Sequence, residues 1–231
     1  MSLILQIETA TQTCSVALAK DGVVLNSIEK TDRNIHASNI TLFIEEVVKL
    51  SNYTLNDLDA VAVSMGPGSY TGLRIGVSTV KGLCYALDIP LIAINTLEAM
   101  ADGFKAKCFS VKPNSLFCPM IDARRMEVYC AIYDNDLKTI SATEAKIIDS
   151  NSFEAILESN IIYFFGDGAA KCEEVLGLNM NARVMDDFTN SAKDLTALAH
   201  KKFNDKDFVD VAYFEPLYLK DFVAGVKKVN V

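Results

Sequence analysis

The residues best equipped for chemistry fall in two stretches. Gly66-Pro67-Gly68-Ser69-Tyr70-Thr71-Gly72-Leu73-Arg74-Ile75-Gly76 is a glycine-rich turn that leads into a helical pattern. Backbone N–H groups exposed at such a helix start can hold a phosphate. The stretch is neither Gly-x-Gly-x-x-Gly nor a Walker A loop, because the Lys-Ser/Thr ending is missing. It also reads as a tight turn followed by a small-residue face, Gly72, Gly76 and Thr79, where another helix packs closely, and that packing role is the preferred reading. Asp122-Ala123-Arg124-Arg125-Met126-Glu127-Val128-Tyr129 places four charges in a hairpin turn. Such a turn serves either as a contact surface or charged-substrate clamp, or as an exposed turn satisfied by its own ion pairs. Spacing alone does not choose between them. Gly66, Gly68, Ser69, Asp122, Arg124 and Arg125 are therefore the candidate nucleotide or contact loop.

Metal and nucleophile chemistry is weakly represented. The two histidines, His36 and His200, are far apart and share no His-x-x-x-His spacing. A zinc site would have to be gathered from isolated ligands. His36 reads as a helix-start residue rather than a base, and His200 as a surface or satisfied core side chain. No Gly-x-Ser-x-Gly elbow is present. The six cysteines, at 14, 84, 108, 118, 130 and 172, form no Cys-x-x-Cys pair. Most stand in apolar company, where a free thiol behaves as a small buried hydrophobe. Reduced thiols, with no evident secretory signal at Met1–Gln6, point to a cytoplasmic protein.

The elements that must position these stretches follow from periodicity. Leu3–Glu8, Cys14–Ala19 and Val23–Ile28 alternate as strands, with Lys20-Asp21-Gly22 as a hairpin turn. Ile40, Phe43, Ile44, Val47 and Val48 recur at helical spacing over 36–50. Leu58–Ser64 is a short apolar run typical of a central strand. Ser69 then caps a helix running to about Leu87. A strand, Leu91–Asn95, and a short helix through Ala101 follow. This β-β-β-α-β-α-β-α order is the core unit of the ribonuclease-H-like fold shared by actins, sugar kinases and Hsp70, so the chain is expected to be α/β with two subdomains, 1–104 and 105–231. Lys105–Ser115 reads as a linker. Beyond it, Leu116–Ile121 and Glu127–Asp134 make a hairpin, and Ile161–Phe165 is a strand closed by Gly166-Asp167-Gly168. Helices are expected near 152–158, 169–176 and from Ser191 to about Phe203, with Phe214–Lys220 an irregular tail that returns to the first subdomain. No internal repeat can be read from the letters.

Charge narrows the partners. The net charge of the 231-residue chain is −8, shared between the halves as −5 over 1–104 and −3 over 105–231. Phosphate backbones are gripped by clustered Lys and Arg, so the chain alone is a poor nucleic-acid binder. Lys201-Lys202 and Lys227-Lys228 read as solvated surface. No apolar run approaches the roughly 20 residues of a membrane span.

Ile7-Glu8-Thr9-Ala10-Thr11, Gly66–Gly76, Asp122–Tyr129 and Pro216-Leu217-Tyr218-Leu219-Lys220 together resemble the TsaB (YeaZ) family along nearly the whole chain. The resemblance implies a catalytically silent relative of TsaD, the subunit that transfers threonylcarbamoyl to the adenosine beside the anticodon of tRNAs with TsaE and ATP. TsaD-like sequences bind metal through a stretch resembling Asn-His-Leu-Glu-Gly-His. The comparable stretch here is Asn95-Thr96-Leu97-Glu98-Ala99-Met100, with Thr96 and Met100 at the two ligand positions. A hydroxyl and a thioether are poor substitutes for imidazole. The resemblance thus implies no catalytic or metal-ligating residue and no cofactor of its own, with ATP and metal in the partner subunit. It implies pairing with TsaD through the first two helices, with Ile40, Phe43, Ile44, Val47, Gly72, Ile75, Gly76 and Thr79 at the interface. A homodimer is expected when TsaD is absent, TsaE is a further partner, and tRNA is met only through the complex. The family commonly has His-Ser-Glu where this chain has His36-Ala37-Ser38. It also ends the tail motif in Arg, where Lys220 keeps the charge without the bidentate fork.

Two other functions compete. An active ATP-using enzyme of the actin-like superfamily usually starts with an Asp near the first hairpin, for which Glu8 with Thr9 and Thr11 is the nearest counterpart. A metallopeptidase, an old label for relatives of this family, lacks its ligands. Zinc content and ATP turnover of the isolated protein separate the three.

Overall fold

The computed structural model describes residues 1–32, 35–108, 112 and 115–220. Lys227-Lys228 and part of the expected linker, Pro113 and Asn114 included, lie outside the described residues. The first strand, β1 (Leu3–Glu8), is buried along its whole length, which is why its apolar run is nearly continuous. Antiparallel to it lies β2 (Thr13–Lys20), and outside that the exposed edge strand β3 (Val23–Thr31). On the other side, β4 (Ala60–Gly66) and β5 (Leu91–Asn95) run parallel to β1, giving the order β3-β2-β1-β4-β5.

Period-two alternation feeds two cores. Leu3, Leu5, Ile7, Val16, Leu18, Val61 and Val63 meet α1 (His36–Leu50) and α2 (Tyr70–Leu87) on one face. Ile4, Ala17, Ala60, Ala62, Ile92 and Ile94 point the other way, toward α6 (Thr196–Asn204). The Ser69 hydroxyl caps α2 by accepting from Gly72 N at 3.3 Å. Between β5 and the second half runs α3 (Thr96–Lys107), longer than the short helix expected, and it absorbs the first residues assigned to a linker.

The second sheet repeats the first. Its strands are β6 (Ser115–Asp122), β7 (Glu127–Tyr133), β8 (Thr139–Ile147), β9 (Ile161–Phe165) and β10 (Ala182–Met185), in the order β10-β9-β6-β7-β8. As in the first sheet, three antiparallel strands are followed by two that run parallel to the first of them. The repeat is invisible in the letters because topology, not side-chain identity, is what is duplicated. β8 and β10 escape prediction for a related reason: β8 is an exposed edge strand and β10 has only four residues.

Helix α3 sits between the two sheets. Its Leu97, Met100, Ala101 and Phe104 pack with Phe117, Ile121, Ala131, Phe165 and Phe188, and the Phe104 and Phe165 rings stack at 4.0 Å. Beyond the second sheet, α4 (Glu154–Leu157) and α5 (Glu173–Leu176) are single turns over a smaller core. The segment from Ser191 onward returns to the first sheet. Ala192, Leu195 and Ala199 join its core, Val209 N donates to Leu91 O at 3.0 Å, and Leu217 N donates to Met65 O at 2.7 Å. Five of the six cysteines are buried, and Cys108 is half-buried.

Candidate functional site

Four turns leave the carboxyl ends of central strands on the same side of the molecule, the place where open α/β sheets receive ligands. They follow β1 (Thr9–Gln12), β4 (Gly66–Ser69), β6 (Asp122–Met126) and β9 (Gly166–Gly168). With the first turns of α1 and α2 and the tail segment Leu217–Lys220, they line a cleft of about 760 Å³. Three tyrosines, Tyr70, Tyr129 and Tyr218, are part of its wall.

The glycine-rich turn is built for close approach. A Cβ on Gly72 would stand 2.1 Å from Thr9 O, and one on Gly76 would stand 2.3 Å from Thr9 Oγ1. Gly68 faces Ala10 as closely, and Gly66, at φ +109°, faces Leu217 O. The packing role expected for this stretch holds, with a correction: the β1–β2 turn of the same chain, not another helix, occupies the small-residue face. Two backbone donors of the turn are also committed internally, Ser69 N to Ala10 O at 2.6 Å and Gly66 N to Thr96 Oγ1 at 3.1 Å.

The same burial corrects the expected interface. Ile40, Ile44 and Val47 belong to the core beneath α1, and Gly72 and Gly76 are covered by Thr9. Period 3.6 identifies an apolar face but not what covers it, and here the chain's own sheet does. Phe43, Ile75 and Thr79 are half-exposed. The outward surface of the two helices adds Leu42 on α1, 57% exposed, and Tyr85 on α2, 87% exposed, together with Gly82, which has nothing within 4 Å of its Cβ position.

Glu8 lies beneath the cleft rather than in it. Its carboxylate accepts from Ala10 N at 2.6 Å and Ser64 Oγ at 2.5 Å. Burial pushes its pKa up to about 7 against the pull of those two hydrogen bonds. The expected ligand positions are closed in the same way. Thr96 Oγ1 is spent on Gly66 N, and the Met100 methyl fills the space over Gly166. Among the described residues no three His, Cys, Asp or Glu side chains gather in a way that could hold a metal ion. His36 lines the cleft, and burial holds its imidazole below the usual histidine range against its contacts with the Thr13 and Thr11 backbone. His200 lies elsewhere, bonded to Ser2 Oγ at 3.0 Å and Asn204 at 3.2 Å.

Spacing left the β6–β7 turn open between a contact surface and a turn satisfied by its own ion pairs. Its acids are neutralised from outside: Lys171 Nζ pairs with Asp122 and donates to Glu127 O at 2.6 Å, and Lys220 pairs with Glu127. Asp122 also accepts from Arg124 N at 3.0 Å. Arg124 and Arg125 both occupy left-handed backbone, at φ +73° and +52°. That conformation costs an L-residue about 1–2 kcal/mol. Across the cleft, Arg74 stacks on the Tyr70 ring at 4.1 Å and its Nε donates to Tyr218 Oη at 3.3 Å. Sequence reasoning missed Lys171 and the three tyrosines, since nothing in their local spacing signals convergence. Lys220, which keeps the charge of the family's tail Arg without its fork, has its carboxylate partner within the chain.

The family model described as "TsaD: tRNA N6-adenosine threonylcarbamoyltransferase" matches residues 19–227. The Escherichia coli tRNA threonylcarbamoyladenosine biosynthesis protein TsaB is 32% identical over 237 residues, covering 97% of this chain and 97% of that protein. Among solved structures, YeaZ from Pseudomonas aeruginosa superposes with a TM-score of 0.80 at 25% identity, covering 95% of this chain and 100% of that one. The activator of the 2-hydroxyisocaproyl-CoA dehydratase from Clostridium difficile, solved with bound ADPNP, gives a TM-score of 0.51 at 9% identity, over 89% of this chain and 97% of that one. The last likeness concerns the fold alone. Matched over 97% of its length at 32% identity by a TsaB protein, the chain belongs to the TsaB (YeaZ) family.

Proposed function

We propose that the chain is a non-catalytic subunit in tRNA threonylcarbamoyladenosine biosynthesis that pairs with TsaD through the outward face of α1 and α2. The observation that carries this reading is the contrast between the two sides of those helices. The inner side is consumed by the chain's own sheet and by Thr9, while the outer side leaves Leu42 and Tyr85 exposed, Phe43 and Ile75 only partly covered by that core, and Gly82 bare. Each large apolar side chain buried there by a partner stabilises the complex by roughly 1.5–3 kcal/mol, and left uncovered it favours self-association. TsaD is the partner and a second copy is the alternative; TsaE joins the pair. ATP and metal act in the partner subunit. Threonylcarbamoyl transfer to the adenosine beside the anticodon is thus supported by this chain, not performed by it.

The sealed positions of Glu8, Thr96 and Met100 support the absence of catalysis. The runner-up, an ATP-using enzyme, draws on the size of the cleft, which lies in the range of small-molecule sites. Against it stands the placement of Glu8, whose carboxylate is bonded beneath the cleft where a nucleotide-bound cation cannot reach it. A metallopeptidase reading finds no ligand set among the described residues. No helix among the described residues is long and apolar enough to cross a membrane.

The test is co-purification with TsaD and TsaE from the same source, followed by tRNA modification with and without this chain. Loss of modification without the chain, together with no ATP turnover by the chain alone, is expected. A chain that neither binds TsaD nor alters modification overturns the reading.

A further inference from the structure

We infer that the β6–β7 turn is a direct contact for the phosphate backbone of single-stranded RNA, with Arg124 and Arg125 as the phosphate ligands and the adjoining tyrosine-lined cleft as the place where a base lies. This rests on the tRNA-modification role proposed above and deepens it, since overall charge assigns the main grip on tRNA to another subunit.

Three observations carry it. First, the turn is not self-satisfied. Its two acids, Asp122 and Glu127, are taken by Lys171 and Lys220. Neither guanidinium forms an ion pair among the described residues, and both arginines are exposed. Lysines brought from elsewhere thus cancel the carboxylates that would otherwise have held the arginines, and two delocalised cations face outward.

Second, the backbone is unsuited to the residues it carries. Two successive non-glycine residues sit at φ +73° and +52°, where Gly or Asn adopts the conformation at little cost. A sequence that keeps arginine at both positions accepts strain in order to hold two guanidinium groups at one tip, and strain of this kind marks functional sites.

Third, the neighbourhood matches the ligand. Arg124 lines the cleft beside Tyr129, with Tyr70 and Tyr218 in the same wall, and those two rings are 4.8 Å apart. Arginine on the backbone with aromatic rings for the bases is the combination that holds single-stranded nucleic acid. The cleft's remaining carboxylates oppose an anion: Asp167 accepts from Asp122 N at 3.1 Å, and Asp32 also lines the wall. The contact is therefore auxiliary and local. An acidic protein segment would use the arginines but not the rings, so RNA is the favoured occupant.

The experiment measures fluorescence anisotropy of the full chain with an unmodified tRNA transcript, a short single-stranded oligouridine and a polyglutamate peptide, between about 50 and 200 mM salt. The informative variant is Arg124→Gly/Arg125→Asn, which removes both charges while relieving the left-handed backbone, so misfolding cannot mimic the result. Expected are RNA binding by the wild type, a roughly tenfold loss in the variant, and a decrease of about 1–2 in the slope of log K against log salt. Arg124→Lys/Arg125→Lys should retain most of the binding. Binding of RNA that the variant leaves unchanged, no RNA binding at low salt, or preference for polyglutamate would each overturn the inference. A chain that supports modification in the TsaD assay yet fails here loses only this inference, whereas failure in that assay removes the family role itself.

Discussion

Glu8 shows how one residue records its surroundings. Unfolded, its carboxyl would lose its proton near pH 4.5, whereas folded it keeps it to about pH 7 because burial disfavours the charge. Between those values the folded state binds more protons than the unfolded chain, so stability falls as pH rises through the window and levels above it. The difference corresponds to roughly 3 kcal/mol. Glu8→Gln keeps an acceptor for Ala10 N and removes the titration. Denaturant midpoints at about pH 5 and about pH 8 should therefore differ less in the variant than in the wild type. Equal pH dependence in both proteins would remove Glu8 as the cause. In the letters Glu8 is noticeable from its place at the end of the first strand. Its burial and its bond to Ser64, 56 positions away, come from β4 lying beside β1.

At the scale of elements, α2 carries two glycines with opposite meanings. Gly76 is pressed against Thr9, so Gly76→Glu damages the fold and cannot report on an interface. Gly82 is open on the outward face, where Glu is also the better helix former by about 1 kcal/mol. Gly82→Glu should raise the melting temperature of the isolated chain slightly while weakening its association with TsaD by tenfold or more, since it buries a charge in the contact. Titration calorimetry alongside a thermal melt checks both halves of this expectation. Unchanged affinity would place the interface elsewhere. Helical spacing in α1 and α2 was plain in the letters. Which side met the chain's own sheet and which met solvent was not, because both sides carry apolar or small residues.

For the whole molecule, α3 between the two sheets explains why restoring ligands would not restore a metal site. Thr96 and Met100 are fully enclosed, the first bonded to the β4 turn and the second packed on the β9 turn, so they join the two halves. Thr96→His would insert a ring where no space exists, overpacking that costs about 1–3 kcal/mol, and Met100→His would bury a polar imidazole in an apolar site. The double variant should bind no zinc in equilibrium dialysis and should unfold at lower denaturant than the wild type. Tight zinc uptake with retained stability would mean that the lost site is still spatially intact. The tail belongs to this scale as well. Its Leu217 pairs with Met65 on the first sheet, and its Lys220 reaches Glu127 on the second, so a segment without regular structure spans the cleft.

By itself the sequence determined the elements of the first half, the Ser69 cap, the scattering of thiols and histidines, and the family. All of these depend on local spacing or on residue identity, which the letters carry directly. Tertiary structure alone decided that the small-residue face of α2 is filled by Thr9, that the two sheets are topological copies, and that lysines from distant segments take the acids of the β6–β7 turn and leave its arginines without an ion pair among the described residues. Each of those depends on which surfaces meet. Meeting is set by sheet order and by the path of the tail, which join residues up to about two hundred positions apart through contacts that leave no periodic trace in the chain.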